Sequence, residues 1–231
     1  MRASLRALFC APRKSIWGVA IMINAESAMR RANEISKLGL GKSSPNPIVG
    51  AVIVGNDGHQ DGGKHAEVVA LSKAGQRARG ATLFVTLEPC NHMGKTPPCT
   101  EAIIAAGIKK VVFAVSDPNP IAHGGAQSLT DAGIIVEPGL LKDEVAFTNR
   151  AWLKKIKSSH PYITLKIAAS LDGKVAALDG SSKWITSEIS RTDAAILRSQ
   201  CDAIVTGTGT VLADNPSLTV RNIKRENFEF K

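Results

Sequence analysis

The chain has 231 residues, 44% apolar and only 4% aromatic, a composition typical of a globular protein with one or two domains. Four scattered cysteines do not make a secreted disulfide scaffold, and no apolar run approaches the roughly 20 residues of a membrane span, so we expect a reducing, cytoplasmic environment and no membrane partner. The net charge of +9 includes +4 from basic residues before Glu26, and the remaining excess fits a phosphorylated small molecule as well as a nucleic acid or a solvated basic surface.

Residues 1–21 form a basic extension without acidic side chains. Two explanations fit this composition. In the first, translation begins at Met22, and we favour it because the extension is short and poor in serine. In the second, the extension is an organelle transit peptide, and the protein is then located in an organelle instead of the cytoplasm.

The first domain, residues 22–153, is predicted to alternate helices and strands. An amphipathic pattern predicts a helix over 26–38, and the uninterrupted apolar run IVGAVIV at 48–54 predicts a strand buried on both faces. The elements that follow are a helix at 65–74, a strand at 81–87, a helix at 100–107, a strand at 109–117, a helix at 126–132, a strand at 134–139 and a helix at 142–156. This alternation predicts an α/β layered sheet.

A second domain is predicted over 162–231, after a basic linker at 154–161 that contains a proline. It begins with YITLKIAASLDGKVA, in which Asp172 and Gly173 are a hairpin-turn pair between apolar segments, so we expect a β-rich unit. About 70 residues are fewer than an independent domain usually needs, so this unit is either incomplete or depends on the first domain.

Three residues have the spacing and chemistry of a metal site. His65 precedes Cys90 by 25 positions, and Cys99 follows nine positions later. One imidazole and two thiolates suit tetrahedral zinc with a fourth position open to water, which is the arrangement of a catalytic site. Taken singly, each of these residues would be an ordinary surface or core residue. A structural zinc site would more often have four protein ligands, and no fourth ligand is evident in the sequence, so the pattern favours a catalytic site.

Glu67 is the predicted proton shuttle of this site. Two residues beyond His65 on a helix, its carboxylate points away from the imidazole and can reach a water on the metal. Cys99 is predicted to lie at the first turn of the following helix, where the helix N-terminus favours a thiolate. A His-x-Glu element followed at this distance by Pro-Cys is the signature of zinc nucleobase deaminases.

The motifs SPNPIVGAVIV at 44–54, HAEVVAL at 65–71 and TLEPCNHMGKTPPC at 86–99 resemble the deaminase domain of the bifunctional riboflavin-biosynthesis deaminase/reductases. The resemblance extends from about Glu26 to Arg221. Its most specific part is the eight-residue gap between Cys90 and Cys99, since cytidine and nucleic-acid deaminases normally have two residues there. The resemblance implies a cytidine-deaminase-like layered mixed sheet, followed by a dihydrofolate-reductase-like α/β domain.

The implied reaction is the hydrolytic removal of an amino group from a phosphoribosylated diaminopyrimidinone, a small-molecule substrate. The resemblance implies that His65, Cys90 and Cys99 bind zinc and that Glu67 donates the proton. The implied substrate-binding residues are Asn46 at the pyrimidine, His92 and Lys95 at the ribose and phosphate, and Asp117, Asn119 and His59. Without the resemblance, these are ordinary turn or loop residues.

The second domain resembles the start of the family's reductase domain, which uses NADPH to reduce the ribose of the deaminated product. The matching segments are KIAASLDGKVA, SSKWITS and TGTGTVLADNPSLTVR. The residues implied at the cofactor are Ala168, Trp184, Thr210 and Asp214, and those implied at the substrate are Ser182, Arg198, Leu218 and Arg221. After Arg221 the resemblance stops, so we expect a truncated reductase that is inactive unless another chain completes it.

A further departure lies between residue 54 and His65, where the chain is shorter than the family by about the length of a strand. Loss of a strand would expose a sheet edge beside the site. One alternative is therefore a catalytically dead zinc-binding remnant. A nucleic-acid-editing deaminase is favoured only by the positive charge, and the long cysteine gap and scarce aromatic residues oppose it, so no nucleic-acid partner is expected. A homo-oligomer is compatible with the sequence.

Overall fold

The computed structural model of the chain describes residues 24–55, 66–94 and 96–221. These residues form two compact units, one made of 24–39 and 45–162 and the other of 40–44 and 163–221. Within the described ranges, no helix combines the length and the apolar character that crossing a membrane requires. The expected loss of a strand before His65 concerns residues 56–65, which lie outside the described ranges.

Among the described residues, the first unit is built on a mixed sheet of four strands in the order β1-β2-β3-β4, in which β1 is antiparallel to β2 and the other pairs are parallel. Its elements in chain order are α1 Ala25–Lys37, β1 Ala51–Val54, α2 Ala66–Ala74, β2 Thr82–Leu87, α3 Cys99–Ala105, β3 Lys110–Val115, α4 Gly125–Asp131, β4 Ile135–Pro138, α5 Lys142–Thr148 and α6 Arg150–Ser158. The predicted layered mixed sheet is confirmed.

Helices cover both faces of this sheet. Side chains alternate along each strand, so that Leu83 and Val85 of β2 face one layer while Phe84 between them faces the other. One buried cluster joins the sheet to α2, α3 and α4, and the other joins it to α1, α5 and α6. Burial on both faces explains why the strand sequences are almost continuously apolar.

Helix α1 packs closely on the backbone at Gly50, the residue just before β1. Its N-cap, Asn24, accepts a hydrogen bond from the Ser27 N–H at 2.7 Å, which satisfies one of the unpaired donors of the first turn. A Cβ at Gly50 would overlap the carbonyl oxygen of Ala32, so only glycine allows the helix to approach this far. The absence of a side chain at position 50 therefore sets the depth at which α1 lies on the sheet.

Two predicted elements differ in detail. The helix predicted over 142–156 is two helices, α5 and α6, separated at Asn149. Asn149 is buried, and its side chain forms hydrogen bonds with the backbone of Ile48, in a loop that is distant in sequence. The helix is interrupted at this residue. Helix α6 also includes residues 154–158 of the predicted linker, and it ends at Ser159, which has a left-handed backbone with φ of 57°.

The second unit contains α7, Glu188–Ser199, and α8, Thr208–Asp214. The turn at Asp172 and Gly173 is present, with the Gly173 N–H donating to the Ser170 carbonyl at 2.9 Å. The strands predicted to flank that turn are wrong, because 163–221 has no strand. An apolar alternating segment becomes a strand only when a neighbouring backbone pairs with its N–H and C=O groups, and no described segment of this unit does so.

Replacing Gly50 with alanine is expected to lower the free energy of unfolding by about 3 kcal/mol, because the new Cβ forces α1 away from the sheet. Denaturant unfolding followed by circular dichroism measures the loss. Gly209→Ala is the control, since no described residue beyond its own helix and chain neighbours lies within 4 Å of the place where its Cβ would be. It is expected to leave stability unchanged or slightly raised. Equal losses in both variants would contradict the close-packing argument.

Candidate active site

The two central cysteines meet at the carboxyl end of β2. Cys90 lies three residues beyond the end of this strand, and Cys99 is the first residue of α3. The Cys99 N–H donates to Cys90 Sγ at 3.4 Å, and the Thr100 N–H donates to the Cys90 carbonyl at 3.4 Å. Neither cysteine is part of a disulfide. The loop between them therefore folds back so that two thiols nine positions apart in sequence become neighbours.

Glu67 lies beside this thiol pair, in the first turn of α2. It is only 5% exposed, although it is an acidic residue. Desolvation by burial raises the pKa of Glu67 to about 7, and the charge of Cys90 raises it too, while hydrogen bonds to backbone and to Cys99 lower it. A carboxyl group with this pKa exchanges a proton readily near neutral pH.

Cys99 occupies the predicted position at the start of α3. The neighbouring Cys90 sulfur raises the pKa of the Cys99 thiol, and burial and the Glu67 charge raise it further. These effects outweigh the helix N-terminus that was expected to favour a thiolate, because the site places three acidic groups together away from water. A cation beside the Cys99 sulfur would offset these effects and favour its thiolate form.

This donor set fits zinc. Two adjacent, buried or half-buried sulfurs are the ligands that zinc prefers, and a cation there would offset the crowding of acidic groups. Within 24–55, 66–94 and 96–221, no three His, Cys, Asp or Glu residues form a metal-holding cluster by themselves. His65, the predicted third ligand, directly precedes α2 but lies outside the described residues, as do His59 and Lys95.

The loop after β3 lies against the same end of the sheet. The Asp117 N–H donates to Glu88 Oε2 at 3.2 Å, the Asn119 N–H donates to Asp117 Oδ1 at 2.8 Å, and the Ile121 N–H donates to Asn119 Oδ1 at 3.1 Å. Asp117 and Asn119 thus order their own loop. Burial raises the pKa of Asp117, and the Glu88 charge contributes, while the Asn119 N–H lowers it. Their role in substrate binding stays a prediction.

His92 lies on the loop between the cysteines. Its buried Nδ1 has no hydrogen-bond partner among the described residues, and its charge acts on Asp117. A buried ring nitrogen without a partner is a group that a ligand can satisfy. The structure therefore brings together Glu67, Cys90 and Cys99, and places His92 near Asp117.

Asn46 is exposed on the loop that leads into β1, and this loop is held by Asn149. The Ile48 N–H donates to Asn149 Oδ1 at 3.2 Å, and Asn149 Nδ2 donates to the Ile48 carbonyl at 2.6 Å. Asn149 is 5% exposed, so both bonds are shielded from water. Sequence reasoning missed this residue, because only the contact across 101 positions gives it a function.

The residues predicted for the second unit are partly brought together. Arg198 Nη1 donates to the Thr219 carbonyl at 3.1 Å, and Arg221 Nη2 donates to the Ser217 carbonyl at 3.4 Å, so both arginines lie around the turn that includes Leu218. Thr210 and Asp214 lie one turn apart on α8, and the Arg191 guanidinium stacks 4.3 Å from the Trp184 ring centre. Ala168 and Ser182 lie in segments without helix or strand.

Two regions of the chain match known protein families. The family model for the cytidine and deoxycytidylate deaminase zinc-binding region matches residues 22–115, and the model for the RibD C-terminal domain matches residues 161–229. The riboflavin biosynthesis protein RibD of Aquifex aeolicus is 51% identical over 206 residues, and that of Bacillus amyloliquefaciens is 52% identical over 204 residues. The chain is similar to the RibD proteins of riboflavin biosynthesis over most of its length. The predicted resemblance is confirmed. The prediction that it stops at Arg221 is wrong, because the match to the C-terminal model continues to residue 229.

Solved structures support the same relation. A deaminase/reductase of Thermotoga maritima superposes with a TM-score of 0.79 at 44% identity, over 85% of this chain and 59% of that protein. RibD of Acinetobacter baumannii superposes with a TM-score of 0.78 at 47% identity, over 86% of this chain and 58% of that protein. The Aquifex and Bacillus matches cover 86% and 85% of this chain but 58% and 55% of those relatives. The chain thus spans less than two thirds of the length of the RibD proteins that it matches.

Replacing Asn149 with alanine is expected to lower the free energy of unfolding by about 3 kcal/mol, because a buried N–H and a buried C=O of Ile48 lose their partners. Denaturant unfolding measures this loss. Asn149→Asp is the matched variant: it keeps the acceptor for the Ile48 N–H but sets a carboxylate oxygen against the Ile48 carbonyl. We expect it to be no more stable than the alanine variant. Wild-type stability of Asn149→Asp would show that the bond from Nδ2 contributes nothing.

Proposed function

We propose that the first unit is a zinc-dependent deaminase that hydrolyses the amino group of 2,5-diamino-6-(5-phosphoribosylamino)pyrimidin-4-one. The observation that carries this proposal is a buried glutamate, Glu67, in contact with the paired thiols Cys90 and Cys99. The deaminase family match over residues 22–115 and the name of the Thermotoga maritima relative, a diaminohydroxyphosphoribosylaminopyrimidine deaminase, support the substrate.

Zinc would be held by His65, Cys90 and Cys99. Bound there, it would supply the Lewis acidity by which zinc sites activate water. The cysteines would bind as thiolates. The hydrogen bond from the Cys99 N–H to Cys90 Sγ orients one sulfur and would stabilise its negative charge.

Glu67 would move the proton in this reaction. Its carboxylate takes a proton from the attacking water, and the water oxygen forms a bond to the amino-bearing ring carbon. The carboxyl group gives this proton to the ring nitrogen. It then takes the proton of the newly attached hydroxyl group and passes it to the departing amine, so that a carbonyl forms, the carbon–nitrogen bond breaks and ammonia leaves. A pKa of about 7 suits a group that must both accept and donate.

The substrate would be bound by loops around this centre. His92 carries a buried nitrogen that has no hydrogen-bond partner among the described residues, and Asp117 and Asn119 lie on the adjacent loop, where polar groups can contact the ribose phosphate and the base. Lys95, on the same loop as His92, and Asn46, on the loop that leads into β1, would complete the site. The basic character of the chain is compatible with a phosphorylated substrate.

Purified, zinc-quantified protein is expected to release ammonia from the diaminopyrimidinone ribose phosphate. Glu67→Gln removes the proton carrier while keeping the shape of the side chain, so turnover should fall by at least about 100-fold with zinc still bound. Glu101→Gln, an exposed position on α3, is the control and should retain activity. A folded wild-type protein that binds zinc but releases no ammonia would contradict the deaminase and favour the zinc-binding remnant.

Zinc binding can be tested apart from activity. Cys90→Ser and Cys99→Ser are each expected to reduce the metal content from about one zinc per chain to near zero, because hydroxyl oxygen is a poor ligand for this ion. Cys201→Ser is the matched control, since Cys201 is exposed and lies in the second unit. Elemental analysis after gel filtration gives the stoichiometry. Unchanged zinc in both site variants would show that the metal is held elsewhere.

A further inference from the structure

Glu88 is a buried acidic residue that the proposed chemistry does not use. It follows β2 directly and is 8% exposed. One of its carboxylate oxygens accepts from the Asp117 N–H at 3.2 Å, and the other accepts from the Ala126 N–H at 3.0 Å. These donors are 29 and 38 positions away in sequence. The Glu88 carboxylate therefore connects the end of β2 to both ends of the loop between β3 and α4.

The neighbours of Glu88 make contact with the same loop. A Cβ at Gly125 would overlap the carbonyl oxygen of Pro89, so the start of α4 lies directly on the chain beside Glu88. The Asn91 N–H donates to the Ala122 carbonyl at 3.2 Å. The segment that contains Cys90 is thus attached to the loop 116–124 on both sides of the cysteine.

A carboxylate is the side chain that this position requires. The Ala126 N–H belongs to the first turn of α4, where no acceptor exists within the helix. The Asp117 N–H lies beyond the end of β3, where the strand ladder has ended. Only a group with two acceptor oxygens satisfies both donors, and negative charge strengthens both bonds.

We propose that Glu88 is a positioning residue for substrate, which holds the loop carrying Asp117 and Asn119 in a set position relative to Cys90. This inference rests on the proposed deaminase function. Glu67 and Cys99 are placed by α2 and α3, which Glu88 does not bond. Loss of the Glu88 bonds should therefore weaken substrate binding more than the chemical step.

The test compares Glu88→Gln and Glu88→Ala with the wild type and with Glu101→Gln as the control. Glutamine keeps the length of the side chain but has only one acceptor oxygen, so one of the two amides loses its partner, whereas alanine releases both. Amide hydrogen exchange at Asp117 and Ala126 is expected to accelerate about tenfold or more at one amide in the glutamine variant and at both in the alanine variant.

The kinetic readout separates positioning from simple stabilisation. In the glutamine variant we expect KM for the diaminopyrimidinone ribose phosphate to rise about tenfold, while kcat changes by less than about threefold and zinc content stays the same. The alanine variant should show a larger rise in KM. A smaller folded fraction with unchanged KM would show that Glu88 only stabilises the fold, and would overturn the proposal.

A measurement on the wild type covers the case in which a variant does not fold. If the Asp117 and Ala126 amides of the wild type exchange at the rate of unprotected amides, the Glu88 bonds do not hold the loop, and the proposal is wrong. Wild-type protein that shows slow exchange at these amides but no ammonia release would refute the deaminase instead, and with it the substrate role of Glu88. The two proposals therefore fail by different observations.

Discussion

The parallel pairing of β2 with β3 is the constraint on which the site depends. Parallel strands end at the same edge of a sheet, and Leu87 lies opposite Val115 at that edge. The Glu88 N–H donates to the Val115 carbonyl at 2.8 Å and extends the pairing by one step. The loop with the cysteines and the loop with Asp117 consequently leave the sheet side by side. An antiparallel pair would have sent them to opposite ends.

Burial of acidic side chains at this edge of the sheet changes their pKa values. Acidic groups at Glu67, Cys90 and Cys99 are held together where water is scarce, and the pKa of Glu67 rises to about 7 as a result. The arrangement is costly for the protein alone, because burial and the neighbouring groups disfavour the charged forms of Glu67 and Cys99. It becomes favourable when a cation joins it, and this is the physical reason for expecting a metal among these residues.

The two units differ in how completely they bury apolar residues. The first has clusters of fully buried side chains on both faces of its sheet. In the second, no described residue is buried, and Ile163, Leu165 and Ile167 are between 64% and 82% exposed. The alternation of these residues is that of a strand, yet no described backbone of that unit pairs with them. This explains why the first fold was predictable from periodicity and the second was not.

The sequence by itself determined the α/β alternation, the residue types of the proposed zinc site and the resemblance to the riboflavin-biosynthesis deaminases. These are properties of local pattern and spacing, which the chain carries before it folds. Only the tertiary structure decided that Cys90 and Cys99 touch, that Asn149 interrupts a helix to hold Ile48, and that Glu88 joins two loops. A hydrogen bond between residues 29 or 101 positions apart leaves no periodic trace in a sequence, because its geometry exists only once the sheet has brought the partners together.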